Sequence, residues 1–225
     1  MKKLNLSFKK QQCQCGKTKD LTGNCDGSHA NKYKRLKLFA LTISVLFSTI
    51  AFGSIAKPHN DKKINTEKST IIWKGNKVTG GHEGIIEVKS GFFRFHKKKL
   101  IGGEVEIDMN SIVCTDLIGK YKDKLEGHLK SDDFFGVSKH PISTLKIIKV
   151  TSISNNAYLC TGKITIKGKT EIIEFNISIS ENNAITKLKI DRTKFNIKYG
   201  SGSFFEGLGN RMIYDEFDLD INLKF

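Results

Sequence analysis

Proline is almost missing from this chain: Pro58 and Pro141 are the only two in 225 residues. Polyproline linkers are thereby excluded, and most extended stretches meet no residue that would interrupt a β-ladder. Tryptophan occurs once, at Trp73. There is no Gly-x-Ser-x-Gly elbow, no glycine-rich phosphate loop and no HExxH pair, and paired carboxylates amount to runs such as Asp132-Asp133. Catalysis therefore has no motif to rest on, and the chain reads as a non-enzyme. Acidic residues are scarce, 23 Asp and Glu against 38 Lys and Arg, for a net charge of +15. That excess permits nucleic-acid binding, but in the long C-terminal segment the basic residues alternate with apolar ones, as on the wet face of a sheet, so no nucleic-acid partner is expected.

The charge is unevenly placed. Residues 1–37 hold ten Lys or Arg against two Asp, residues 38–56 hold no charge, and the remainder holds 28 basic against 21 acidic residues. The uncharged run from Leu38 to Ala56 is nineteen residues long, and at ~1.5 Å per residue a helix of that length nearly spans a bilayer core. Lys32, Lys34, Arg35 and Lys37 precede it, a flank that the positive-inside rule assigns to the cytoplasm. The expectation is a single-pass inner-membrane signal anchor at 38–56, with a cytoplasmic N-terminus, a linker at 57–64 and a periplasmic C-terminal domain at 65–225. The small residues of Phe52-Gly-Ser-Ile-Ala56 also suit a cleaved signal, which would leave a free periplasmic protein.

Three of the five cysteines fall between Cys13 and His29, as Cys13-Gln-Cys15, then Cys25-Asp-Gly-Ser-His29. So short a segment cannot bury a core, and a metal or cluster bound by Cys13, Cys15, Cys25 and His29 would have to order it. A Cys3His set suits structural zinc as well as iron. These residues resemble the CDGSH iron–sulfur family, whose terminal pentapeptide they match letter for letter. The resemblance implies a [2Fe–2S] cluster on the four ligands, with His29 raising its potential and lending it acid sensitivity. Members of that family dimerise or carry two motifs, so a homodimer is one arrangement it suggests.

From Thr70 onward the pattern turns to period two. Val105, Ile107 and Met109 alternate with charged residues; Phe175, Ile177 and Ile179 alternate with Asn and Ser; Phe217, Leu219, Ile221, Leu223 and Phe225 alternate with Asp218, Asp220, Asn222 and Lys224. One stretch is helical, with Leu117, Tyr121, Leu125 and Leu129 every fourth residue, and Ser131 is placed to N-cap a following short turn. The fold class expected is mainly β, an antiparallel lipocalin-like barrel with one short helical insertion covering an opening. Cys114 and Cys160 read as buried apolar residues, with a disulfide between them left open. His82 and His128 suit structural hydrogen bonds better than a metal site, and Lys163, Lys167, Lys169, Asp191 and Arg192 read as a solvated face.

This segment resembles the YceI family through Leu125-Glu-Gly-His-Leu-Lys-Ser-Asp-Asp-Phe-Phe-Gly-Val-Ser-Lys-His-Pro141, Ile71-Ile-Trp73, Gly162–Thr170 and Asp191–Ser201. The resemblance implies a lipocalin-like barrel that holds an isoprenoid or quinone-like lipid, and Trp73, Phe92, Phe134, Phe175 and Phe195 are the candidate cavity aromatics. Three functions compete: a membrane-tethered lipid-binding module with an iron–sulfur appendage, an electron-transfer component linked to quinones, and an envelope stress protein whose N-terminal motif is vestigial or binds zinc. Purified under nitrogen, the full chain is expected to show the visible absorption of a [2Fe–2S] cluster and to lose it on His29→Ala; a colourless protein would assign the motif to zinc or to no metal.

Overall fold

Alternation of apolar and polar residues makes each strand two-faced, and only a sheet closed on itself gives all the apolar faces one shared interior. The computed structural model describes Leu21 and residues 59–225. Cys13, Cys15, Cys25, His29 and the 38–56 run lie outside the described residues. Residues 57–225 form a unit of their own, with the order β1 (Asn60–Lys63), β2 (Asn65–Lys77), β3 (Gly80–His96), β4 (Lys99–Cys114), α1 (Gly119–Lys130), β5 (Ile142–Ser152), β6 (Ala157–Ile166), β7 (Lys169–Ser180), β8 (Asn183–Asp191) and β9 (Ile213–Lys224). Strands β2 to β9 make a closed, eight-stranded antiparallel barrel: β4 to β9 pair in sequence, β9 pairs with β2, and β2–β3 and β3–β4 complete the ring. β1, in the stretch expected to be linker, runs along the same edge of β3 as β2, pairing Asn60 with Phe95 through Lys63 with Phe92. Among the described residues no helix is long and apolar enough to cross a membrane.

Two irregularities decide which residues face inward. In β2 the register with β9 shifts between Asn65 and Thr70, where Asn65 folds back on itself: its Oδ1 accepts from the Lys68 N–H and its carbonyl accepts from the Ser69 hydroxyl. In β3 the register with β4 shifts twice between Ile85 and Ser90. A one-residue change of count exchanges the faces of everything beyond it. The β3–β4 and β6–β7 hairpins close through two-residue turns with positive φ at both positions, Lys97-Lys98 and Lys167-Gly168, a geometry that matches strand twist.

The core is a continuous apolar cluster inside the ring. At the end where β1 meets β3, Phe225 packs edge-on against Phe93 at 5.2 Å and lies 5.6 Å from Phe95, which plugs that end. At the opposite end sit α1 and the loop that follows β8. Leu129 is buried and Leu125 packs on the core, but Tyr121 is 73% exposed, so only the second half of the expected helical stripe is used. Ser131 terminates α1 rather than capping a new turn. Its hydroxyl donates backward to the His128 carbonyl, and its own carbonyl receives the Phe134 and Gly136 N–H groups.

Cys114 and Cys160 are fully buried, as expected, and of the arrangements left open they are free thiols with no disulfide between them. One further expectation is corrected. Arg192 is not part of a solvated face: it is 2% exposed, and its guanidinium donates to the carbonyls of Ile197, Ile213 and Tyr214 and approaches Asp215 at 3.5 Å. Three carbonyls from two segments thus depend on one side chain. Arg192→Met keeps the length of the stem but leaves those carbonyls unpaired, and we expect it to lower the unfolding free energy by about 3 kcal/mol, read from urea midpoints.

Candidate functional site

The barrel interior is not completely filled. An apolar cavity runs through it, with about 170 Å³ open to the centre of a water-sized sphere and about 1300 Å³ of atom-free space including its mouth. Its wall is built by the inward residues of the strands, among them Ile71 and Trp73 on β2, Val105 and Ile107 on β4, Phe175 and Ile177 on β7, and Leu219 and Ile221 on β9. Leu129, Phe134 and Phe135 close over it from α1 and the turn beyond. Exposed Tyr214 and Glu216 mark the mouth, at the end opposite the phenylalanine plug.

Three of the polar lining residues are already committed. The Ser143 hydroxyl points to Met109 Sδ at 3.0 Å, the Thr186 hydroxyl donates to the Asn176 carbonyl at 2.7 Å, and the Arg192 guanidinium is held as described. Trp73 differs: its Nε1 is buried and has no hydrogen-bond partner. The indole covers Gly84, its cross-strand partner, where a Cβ would run into the Val113 carbonyl of β4 and stand 2.6 Å from the ring. A glycine at that position gives room both to the neighbouring backbone and to the tryptophan.

Of the five aromatics expected to line the cavity, Trp73, Phe134 and Phe175 do so. Phe92 points to the outer face, with the Arg94 guanidinium 5.1 Å from its ring, and Phe93 takes the inward place. The β3 bulges shift the parity there. Phe195 is 1% exposed but lies in the turn Arg192–Phe195 after β8, outside the lining. Phe93, Phe217 and Met109 line the cavity and were not among the candidates; for Phe217 and Met109 the strand alternation was the available signal.

His82 and His128 do not meet. His128 packs edge-on against Phe134 and Tyr199, and its buried Nε2 has no hydrogen-bond partner, contrary to the structural role expected of it, whereas His82 Nδ1 sits 2.9 Å from Asp116 Oδ2. Asp116 Oδ1 accepts the Cys114 thiol at 2.9 Å. No set of three or more His, Cys, Asp or Glu among the described residues is arranged to hold a metal ion. Burial and the Asp116 carboxylate push the Cys114 thiol up, so this row of cysteine, aspartate and histidine suppresses a nucleophile rather than creating one.

Sequence comparison decides the family, since residues 63–225 match the YceI-like domain. The chain belongs to that family. The YceI-like barrel is similar to the crystal structure of Burkholderia cenocepacia BcnA, with a TM-score of 0.56 at 21% identity over 72% of this chain and 99% of that one. It is also similar to a polyisoprenoid binding domain from Saccharophagus degradans implicated in plant cell wall breakdown, with a TM-score of 0.50 at 14% identity over 72% and 95% of the two chains. Both share the fold. No curated protein matches the sequence.

Partial burial pushes the Asp116 carboxyl up, but hydrogen bonds from the Cys114 thiol, His82 and the Glu83 N–H outweigh it and hold the group below the usual carboxylate range. A depressed carboxyl stabilises the fold above its unfolded pKa, about 3.9, and that contribution fades as pH falls through the folded value. The stability difference between wild type and Asp116→Asn is therefore expected to be largest above pH ~5 and to shrink toward pH ~2, as checked by urea unfolding across that range.

Proposed function

We propose that the barrel holds an apolar lipid with a neutral head group, of the isoprenoid quinone kind, as a binding module without catalysis. The observation that carries this reading is the cavity itself. Its wall is mostly apolar, and the one fully buried side-chain polar atom of its lining that has no hydrogen-bond partner is a neutral donor, Trp73 Nε1. A ligand carbonyl would satisfy that donor, worth about 1 kcal/mol in net terms, while the chain gains about 25 cal/mol for each Å² of apolar surface removed from water. A phosphate head is less suited. The Arg192 guanidinium, the one cationic group among the lining residues, is occupied by protein acceptors. The polyisoprenoid binding of the Saccharophagus degradans domain supports the same ligand class.

The proposal extends to the residues before the barrel on sequence grounds alone. The 38–56 run is a signal anchor that tethers the barrel on the periplasmic side of the inner membrane, and Cys13, Cys15, Cys25 and His29 hold a [2Fe–2S] cluster on the cytoplasmic side. Helical rise puts nearly ~30 Å between the two sides, so direct electron exchange between cluster and barrel-held lipid is not part of this reading.

Trp73 is the only tryptophan in the chain, which makes it an internal reporter. Decylubiquinone is expected to quench its emission saturably, and lipid extraction of the membrane-purified protein is expected to yield a neutral isoprenoid by mass spectrometry. Unchanged emission together with an extract free of apolar molecules would overturn the proposal.

A further inference from the structure

The ladder between β7 and β8 pairs Ser180 with Asn183 through Ile177 with Thr186 and stops there. Both strands continue, β7 back to Lys169 and β8 on to Asp191. Carried on in the same register, the next pairs would be Asn176 with Lys187, Phe175 with Leu188, Glu174 with Lys189 and Ile173 with Ile190. Those eight residues instead line a cleft in the barrel wall. On their other sides the strands are paired throughout, β7 with β6 from Lys169 to Ser178 and β8 with β9 along its whole length.

The parting is built in. Thr186 places its hydroxyl on the Asn176 carbonyl where the ladder ends, which occupies an acceptor the next pair would use. Beyond the cleft, the turn Arg192–Phe195 touches both β7 and β9, with Phe195 fully enclosed and Arg192 tying the turn down. Outside, Lys187 and Lys189 are drawn toward Asp220 and Asp218 of β9, away from β7. Inside, Phe175 and Leu188 line both the cleft and the central cavity. One side chain from each lip is thus common to the two spaces.

We propose that the cleft between β7 and β8 is a side port of the lipid site, through which an apolar chain passes when Phe175 and Leu188 swing apart. This rests on the reading of the cavity as a lipid site. Elsewhere in the wall an opening must break ladder hydrogen bonds, whereas here only side chains move. The phenylalanine plug blocks the far end of the barrel, so a chain longer than the cavity has two ways out, the mouth at Tyr214 and Glu216 and this cleft in the wall.

Residues 57–225 form a unit of their own that carries the core of the described residues, and 72% of this chain matches 99% of BcnA, so this segment suffices for the test. In it, Glu174→Cys and Lys189→Cys stand opposite each other across the cleft, and Ser178→Cys with Ile185→Cys form the control in the paired part of the ladder. Both native thiols are enclosed and stay out of the reaction with diamide. The readout is the rate at which decylubiquinone quenches Trp73 after rapid mixing. Oxidising the Glu174→Cys/Lys189→Cys pair is expected to slow uptake by about tenfold or more, reversibly with dithiothreitol, while the control pair leaves the rate unchanged. Leu188→Ala, which thins one lip, is expected to speed it. Equal rates for the linked and unlinked barrel, with quinone still bound at equilibrium, would overturn the port alone. Absence of quenching in every form, the unmodified barrel included, would overturn the lipid site and the port with it.

Discussion

Once β3 pairs with β2 on one side and β4 on the other, the sheet has become a ring, and every strand has a single interior to point into. That closure forces the alternation of β9, the inward turn of Val105, Ile107 and Met109, and the gathering of apolar side chains from eight strands around one axis. It also sets the scale of the site. The interior of an eight-stranded ring lies at the border between a filled core and a container, and here bulky residues fill one end while the middle stays open.

The two ends are finished differently. Three phenylalanines seal one, with the Lys62 ammonium over the rings of Phe95 and Phe225. The other depends on polar fastening: Arg192 gathers the carbonyls around the β8–β9 connection, and Asp116 links the Cys114 end of β4 to His82 on β3. Polar groups at the open end are spent on holding protein to protein, and this is what leaves the cavity wall neutral. Structural fastening and ligand preference are therefore two results of one distribution of hydrogen bonds.

The barrel was legible in the sequence because β4, β7 and β9 alternate cleanly, and Trp73, Phe134 and Phe175 were correctly placed inside. Phe92 was not: bulges change the residue count within β3, so the alternation of its first half does not carry through, and the local signal lies in Arg94, whose charge marks the face it shares with Phe92 as the outer one. Arg192 was misread for a compositional reason: among so many exposed cations, a buried one looks the same until its acceptors, backbone carbonyls with no sequence signature, come into view. Ser131 has the composition of a helix start and the hydrogen bonds of a helix end. The parting of β7 and β8 was equally hidden, since both strands alternate normally and only their mutual register shows where they stop pairing.

Cys114 and Cys160 lie on different strands, fully enclosed, and burial pushes the Cys160 thiol up to about 11. Neither is a thiolate at neutral pH in the folded protein, so neither exchanges with a disulfide. The barrel consequently reaches its native state without any covalent step. Both thiols are shielded for as long as the ring stays closed.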